Sequence, residues 1–346
     1  MGRKVFLPWA ALLLLGACTL DVPAHYNPFD PMNPNGFPFI MVDRWAGTNT
    51  STNSGGYLIV SGFSFSNGFS LSIDSHEAIY VISKAPYPSQ QGSYVAKYSA
   101  AGVFAWKTIP SAMYYPRYGA VASDGAMYCM DGFGNFETMM SEIRVLSTNG
   151  GFVRAMLSYG APDANLMGPG RILADRDGTL LVADNRNHKL KRFQTNGTLV
   201  GVIGSNGNGP GMFLNPIDIV ADADGRGYWV LELSNSRIQH ISSNGEGLSR
   251  LGDSHTNASN NLLNPTFFCI YSNALVLVGD TGRSRIQWYS TTGVLLGEWS
   301  KKTNARFVMP NDLAVGPSGN LYMLYSNYVG VYRPRKQFAE IYITQP

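Results

Sequence analysis

Four acidic residues recur at nearly constant spacing in this sequence, and carboxylates in such a pattern can bind metal ions or pair with bases. The intervals are 53, 48 and 48 residues, and the four are Asp131, Asp184, Glu232 and Asp280. In three cases a base follows five positions later: Lys189, Arg237 and Arg285. Carboxylates a whole repeat apart cannot share one ion, whose oxygen ligands lie at about 2.0–2.6 Å. We therefore expect an ion pair or turn clasp inside each repeat.

Histidine and nucleophile patterns do not predict an enzyme. No three histidines occupy equivalent repeat positions, as a trihistidine zinc site would require, and the five are His25, His76, His188, His240 and His255. Neither a G-x-S-x-G elbow nor a Gly-rich phosphate loop with its Lys occurs. The sequence thus predicts no catalytic residue, no metal ligand and no cofactor.

These residues belong to an internal repeat of about 48 residues. Short polar stretches end in a glycine every 47 or 48 residues, at Gly102, Gly150, Gly197, Gly245 and Gly293. Each glycine separates an alternating run from an apolar run, which predicts two strands joined by a tight turn of positive φ. A second marker is a proline that opens a short strand, where no ladder hydrogen bond is lost; these are Pro116, Pro169, Pro216, Pro265 and Pro310.

Each repeat holds four predicted strands, and six repeats fit in residues 39–346. Units of this kind cannot bury both faces alone, and their radial repetition gives a β-propeller. The predicted fold is therefore all-β, a six-bladed propeller of four-stranded antiparallel blades. Two segments compete to close the last blade, 40–47 and 338–343, and 40–47 is favoured because it resembles the fourth-strand sequence at 294–301.

One stretch resembles a known family. The residues from Asp184 to Leu190, DNRNHKL, resemble the NHL-repeat motif, in which an acid, Asn, His and a base precede a core Leu or Ile. Glu232 and Asp280 open similar stretches at the same offsets. Two repeats depart from the motif because they lack the acid, at Ser83 and Tyr325. NHL domains are six-bladed propellers, so the resemblance implies the blade number that the spacing predicts.

Topology locates a candidate ligand site. If each blade runs outward from the axis, the proline and acidic columns line one rim, and residues two positions after the prolines face the axis. With Ser70 placed by alignment, the predicted ligand-binding set at this funnel is Arg117, Tyr118, Arg171, Asp218, Phe267, Asn311 and Asp312. We expect it to bind a polar ligand with an apolar face; the alternative is a rim that is only solvated.

The N-terminal residues resemble a bacterial lipoprotein signal peptide. Arg3 and Lys4 precede an apolar run of eleven residues, shorter than the roughly 20 that span a bilayer. The run ends in Leu-Gly-Ala-Cys, similar to a lipobox, which implies cleavage after residue 17 and acylation of Cys18. Thr19 follows instead of Asp, which favours the outer membrane. Residues 18–38 hold five prolines and predict an extended tether.

Composition completes the expectations. Only 14% of the residues are charged and the net charge is +3, which argues against a nucleic-acid binder. Cys129 and Cys269 lie in apolar runs and are expected to be buried thiols. We expect an exported protein held to the membrane by acyl chains, whose propeller binds an envelope protein or polysaccharide without catalysis. The alternative is a metal-dependent lyase or lactonase at the same funnel, since some similar propellers have such activities.

Overall fold

The computed structural model describes residues 39–46, 68–83, 93–108, 113–133, 140–156, 164–252, 261–272, 274–304 and 307–334. Within these ranges, 24 strands form six sheets of four antiparallel strands, each sheet being one blade of a β-propeller. The all-β, six-bladed prediction is therefore confirmed. The predicted signal peptide (1–17), the tether (18–38) and the segment 338–343 lie outside the described residues.

The first strand of the chain, β1 (Phe39–Ala46), belongs to the last blade. The strands of blades 1 to 3, from inner to outer, are β2 (Gly68–Ile73), β3 (Ile79–Ser83), β4 (Tyr94–Tyr98), β5 (Phe104–Lys107); β6 (Pro116–Val121), β7 (Met127–Phe133), β8 (Met140–Leu146), β9 (Phe152–Met156); and β10 (Ile172–Ala174), β11 (Leu180–Asp184), β12 (Lys189–Phe193), β13 (Leu199–Ile203). Those of blades 4 to 6 are β14 (Pro216–Ala221), β15 (Gly227–Glu232), β16 (Arg237–Ser242), β17 (Gly247–Leu251); β18 (Pro265–Tyr271), β19 (Leu275–Asp280), β20 (Arg285–Ser290), β21 (Leu295–Ser300); and β22 (Asp312–Val315), β23 (Leu321–Leu324), β24 (Tyr328–Pro334), followed by β1.

The marker glycines lie where they were predicted, but only three of the five marker prolines open a strand. The five marker glycines lie in the turns between third and fourth strands with φ from +76° to +98°, a backbone region that favours glycine. Pro116, Pro216 and Pro265 open inner strands, but Pro169 and Pro310 precede the strands of their blades. In blade 3, Gly170 and Arg171 still exchange hydrogen bonds with Ala183 of their own blade, while the Arg171 N–H donates to the Ile217 carbonyl of blade 4.

The ring is closed by the N-terminal strand. β1 pairs antiparallel with β24, from Phe39 opposite Pro334 to Ala46 opposite Tyr328. β1, which contains residues 40–46 of the favoured closing segment, therefore occupies the outer position of blade 6. This pairing removes the exposed edge of the last blade.

The core consists of six apolar clusters, one between each pair of neighbouring blades in the described chain. For example, Phe193 of blade 3 packs with Tyr128 and Met130 of blade 2, and none of the three is more than 2% exposed. The predicted buried thiols are confirmed: Cys129 and Cys269 are free, buried and part of these clusters. Each blade is thus stabilised by two neighbours, since an isolated four-stranded sheet buries too little apolar surface.

No helix within the described ranges has the length and apolar character needed to cross a bilayer.

Candidate functional site

The inner strands surround an axial channel that Arg171 divides into two cavities. We call the face where the inner strands begin, marked by Pro116, Pro216 and Pro265, the proline face; the opposite face, marked by the glycine turns, is the hairpin face. The larger cavity, about 610 Å³, is the funnel of the proline face. The smaller, about 280 Å³, is lined mostly by apolar residues toward the hairpin face. Arg171 borders both cavities.

Arg171 is the centre of an ionic cluster at the bottom of the funnel. Its Nη2 donates to Oδ1 of Asp312 at 2.7 Å, and its Nη1 donates to the Leu71 carbonyl at 3.2 Å. Its Nε lies 2.6 Å from Oδ1 of Asp218, but the N–H does not point along that line, so this contact is an ion pair without a hydrogen bond. One side chain of blade 3 thereby contacts blades 1, 4 and 6.

The two aspartates have further partners in neighbouring blades. Oδ2 of Asp312 accepts from the Ser70 hydroxyl at 3.0 Å and from the Leu71 N–H at 2.8 Å, both in blade 1. Oδ2 of Asp218 accepts from the Phe268 N–H of blade 5 at 3.3 Å. Both aspartates are 1% exposed. The carboxylates therefore join inner strands to one another and are not free in the funnel.

Charge balance shapes the protonation of this cluster, because one guanidinium faces two carboxylates. Burial raises the pKa of Asp218 to about 7, against the opposing effect of Arg171 and with a further contribution from Asp312. Burial alone would lower the pKa of Arg171, but Asp218 and Asp312 outweigh it and raise this pKa, so the guanidinium stays charged. Burial also raises the pKa of Tyr118 to about 12, and its ring lies 5.6 Å from the guanidinium.

The structure brings together most of the predicted ligand-binding set. Tyr118, Arg171, Asn311, Asp312 and Phe267 line the funnel. Asp218 lies beneath it, against Arg171.

Arg117 is the exception, because it is not among the funnel-lining residues. Its Nε lies near Gly132 of β7, away from the axis. It immediately follows Pro116, and the strand pairing is irregular between Pro116 and Tyr118.

Sequence reasoning missed several polar residues of the funnel mouth. Thr266 and Thr281 line the funnel, and their hydroxyl groups are 2.5 Å apart. Ser284 lies near them and has a left-handed backbone, with φ of +49°. Thr266 immediately follows the marker proline Pro265, and Thr281 immediately follows the acid Asp280. Both threonines could therefore have been found from their positions in the repeat.

The acidic column forms the expected clasps. All four acids are fully buried, and each accepts a hydrogen bond from the backbone N–H two residues before the marker proline. These donors lie at 2.8, 2.8, 2.9 and 2.6 Å, and they are Tyr114, Met167, Leu214 and Leu263. Each clasp thus fixes the loop that leads into the inner strand of its own blade.

The bases of the clasps follow two patterns, and one prediction was wrong. Arg237 and Arg285 lie 2.7 Å from Glu232 and Asp280, as predicted. Asp184 instead pairs with Lys191 at 2.8 Å, and not with Lys189.

Register does not separate the two patterns, because Lys189, Arg237 and Arg285 are all directly opposite their acids. The blades differ two residues further along the third strand, on the same face, where blade 3 has the buried base Lys191 and blades 4 and 5 have Gln239 and Gln287. Arg144 holds the equivalent further position in blade 2 and lies 3.0 Å from Asp131. Burial raises the pKa of Asp131 to about 6 despite its hydrogen bonds and Arg144.

Comparisons with known proteins show the fold alone. No family model and no curated protein matches the chain. A protein of unknown function from Bacteroides thetaiotaomicron has a TM-score of 0.55 at 12% identity, over 85% of this chain and 76% of that one. The periplasmic gluconolactonase of Pseudomonas aeruginosa has a TM-score of 0.54 at 12% identity, over 82% and 84%. Virginiamycin B lyase from Staphylococcus aureus has a TM-score of 0.51 at 12% identity, over 85% and 99%.

The class that the fold defines is the six-bladed β-propeller. In the described part of the chain, no three His, Cys, Asp or Glu side chains converge as a metal site requires. The funnel residues therefore do not fit the metal of a metal-dependent propeller enzyme.

Proposed function

We propose that this chain is a lipid-anchored protein of the bacterial cell envelope whose propeller binds a protein or glycan at the funnel without catalysis. The observation that carries the proposal is the ionic cluster of Arg171, Asp218 and Asp312. Its charged groups bond to one another and to the backbones of neighbouring blades. Such a cluster gives the funnel a rigid polar base, which suits binding.

The funnel has the dimensions and chemistry of a ligand site. Its volume of about 610 Å³ falls in the range of small-molecule and side-chain pockets. The hydroxyl groups of Thr266 and Thr281 offer hydrogen bonds at the mouth, and the rings of Phe69 and Tyr118, 5.5 Å apart, offer an apolar wall. A ligand group with polar edges and one apolar face, as in a sugar ring or a side chain of a protein, matches this lining.

Attachment to the envelope is proposed from the sequence. Acylation of Cys18 would place the propeller on the membrane, with residues 18–38 as the tether. We propose the outer membrane because Thr19, and not Asp, follows the cysteine. The recurrent clasp of acid and base in blades 3 to 5 supports assigning these blades as NHL repeats. Metabolic labelling with an alkyne fatty acid should mark the wild-type chain and leave a Cys18→Ser variant unlabelled. Equal labelling of both would contradict the anchor.

The funnel is tested by blocking it. We expect Thr266→Trp and Thr281→Trp to fill the mouth and to abolish capture of the envelope partner by cross-linking in intact cells. Thr292→Trp is the matched control, because Thr292 is an exposed threonine on the hairpin face of the same blade. If all three variants and the wild-type chain capture the same partner equally, the funnel is not the binding site.

One observation favours the second candidate, a lyase or lactonase at the same funnel. Burial raises the pKa of Asp218 to about 7, which is in the range of a general acid or base, although its carboxylate lies beneath the funnel against Arg171. Two structural neighbours are a lyase and a gluconolactonase. Because the described residues do not supply three metal ligands, no metal-dependent step is derived. A stoichiometric divalent metal in the dialysed protein would favour this candidate, and its absence would argue against it.

A further inference from the structure

The proline face carries a ring of exposed apolar side chains around the funnel. The position two residues before the marker proline is a large apolar residue in five blades, and the five are Tyr114, Met167, Leu214, Leu263 and Val308. Four of them are 53%, 43%, 45% and 57% exposed, with only Leu214 more buried. Single exposed apolar residues are ordinary on protein surfaces. The same exposed position in successive blades is an ordered surface, which we call the apolar ring.

The acid clasps hold the apolar ring in place. The backbone N–H of Tyr114, Met167, Leu214 and Leu263 donates to the buried carboxylate of its blade. This hydrogen bond fixes the backbone of the loop, because breaking it would take a partner from a buried carboxylate. The side chains of Tyr114, Met167 and Leu263 therefore project from fixed backbone positions, whereas Val308 is exposed in a blade that lacks the acid.

The same clasps give the proline face a positive character. Every carboxylate described on this face is ion-paired: the four clasp acids, Glu142 with Arg144, and Glu298 with Arg285. Five bases on the face are exposed or half-buried and have no ion-pair partner among the described residues: Arg117, Arg186, Lys189, Lys301 and Lys302. The hairpin face differs, because it also exposes acids, namely Asp124, Asp177, Asp224 and Glu246.

We propose that the apolar ring and these five bases form a docking surface for an acidic protein segment that carries apolar side chains. The inference rests on the proposed binding function and names the class of partner. Methionine, tyrosine and arginine are enriched at protein–protein contacts, and complementary charge selects and steers the partner. An anionic polysaccharide would satisfy the bases but would leave the Met167, Leu263 and Val308 side chains uncovered.

The position of β1 argues against the anchoring membrane as the occupant. Phe39, the first residue of β1, is opposite Pro334 at the hairpin-face end of β24. The segment that precedes β1 therefore joins the propeller at the hairpin face. The proposed anchor would therefore attach to the chain at the face opposite the apolar ring.

The test uses the full chain, immobilised from detergent, and three defined probes: a random copolymer of Glu and Tyr, poly-Glu, and alginate. We expect the copolymer to bind at least about tenfold more tightly than poly-Glu. Met167→Ser with Leu263→Ser should remove that preference, and Arg186→Glu with Lys189→Glu should weaken the binding of both polypeptides about tenfold. Added salt should weaken binding as well.

The controls match the variants in exposure and charge. Val200→Ser with Leu248→Ser changes similarly exposed residues on the outer strands, and Arg176→Glu with Arg226→Glu reverses two exposed charges on the hairpin face. These controls should bind all probes as the wild-type chain does. Equal affinity for the copolymer and poly-Glu, alginate bound as tightly as the copolymer, or equal losses in the controls would each overturn the proposal.

The outcome is separable from that of the funnel experiment. If Thr266→Trp and Thr281→Trp abolish capture of the partner while the copolymer is not preferred, the docking surface is overturned and the proposed function stands. If the copolymer preference depends on Met167 and Leu263 while both Trp variants capture the partner normally, the docking surface stands and the funnel assignment fails.

Discussion

Arg171 Nη2 lies 2.7 Å from Asp312 Oδ1, so blades on opposite sides of the ring are ion-paired across the propeller axis. The same guanidinium lies 2.6 Å from Asp218 of the next blade. The inner strands of a propeller pack mainly against those of the neighbouring blades. The axial ion pair adds a direct contact between two blades that are not neighbours. The cluster therefore resists changes in the width of the channel as well as defining the base of the funnel.

Removal of the axial cation should destabilise the fold. Arg171→Met leaves Asp218 and Asp312 buried without a counter-charge, and breaking a buried pair in this way costs about 3–5 kcal/mol. Urea unfolding monitored by tryptophan fluorescence measures the loss. The control combines Arg171→Met with Asp218→Asn and Asp312→Asn, which should recover much of it. A loss below about 1 kcal/mol in the single variant would show that the cluster has no structural role.

Stability should fall as pH rises through neutrality. The pKa of Asp218 is about 7 in the folded chain and about 3.9 in an unfolded one. Because the folded value is higher, its contribution to stability is full below about pH 3.9 and is lost as pH rises through about 7. Asp131, with a pKa of about 6, acts in the same direction.

The variant Asp218→Asn isolates this group. Its unfolding midpoint in urea should change less between about pH 5 and pH 8 than that of the wild-type chain, because only the Asp131 contribution remains. Parallel pH profiles for the two proteins would contradict the assignment of a raised pKa to Asp218.

A buried clasp should matter more than an exposed ion pair. Glu232→Gln leaves the Arg237 guanidinium, whose side chain is 6% exposed, without its counter-charge, and we expect a loss of about 3–5 kcal/mol. Glu298→Gln is the control: Glu298 is partly exposed, and its partner Arg285 keeps Asp280. The control should lose about 1 kcal/mol or less in the same urea assay. Similar losses in both variants would refute this ranking.

Gly170 should be required for the contact between blades 3 and 4. A Cβ there would lie 2.2 Å from the Ile217 carbonyl oxygen of the next blade, which is backbone and cannot turn away. Gly170→Ala should therefore lower stability by about 1–3 kcal/mol. Gly201→Ala is the control, because its Cβ would meet only the Arg192 Cβ at 3.7 Å. Thermal unfolding of both variants is the measurement, and equal midpoints would contradict the steric argument.

Much of the fold could be predicted because its marker residues are the ones that particular backbone conformations and strand ends require. The marker glycines supply the positive φ of the outer turns, and the acids Asp184, Glu232 and Asp280 end the second strands of blades 3, 4 and 5. The choice of closing strand also followed from sequence, since the segment 40–47 resembles a fourth strand. These features recur with the period of the blade, so a single chain displays each of them several times.

Which side chains form ion pairs with one another was harder to predict from the sequence. Lys189 and Lys191 are both on one face of β12, and only the three-dimensional path of each side chain decides which reaches Asp184. Arg171 and Asp312 meet across the ring, and no periodicity indicates which axial residues will pair. Arg117 follows a strand irregularity that the spacing did not reveal, so its predicted place in the funnel was not found.

Pairing of β1 with β24 sets the order in which this protein can finish folding. Of the described strands, β1 is synthesised first, and it has no sheet to join until the last blade has been synthesised. Blades 1 to 5 can assemble successively, while β1 waits as an unpaired edge that other chains could join. A nascent chain that stops before β24 leaves β1 without its partner, and a chain cut after β1 leaves β24 as the exposed edge of an unfinished blade 6.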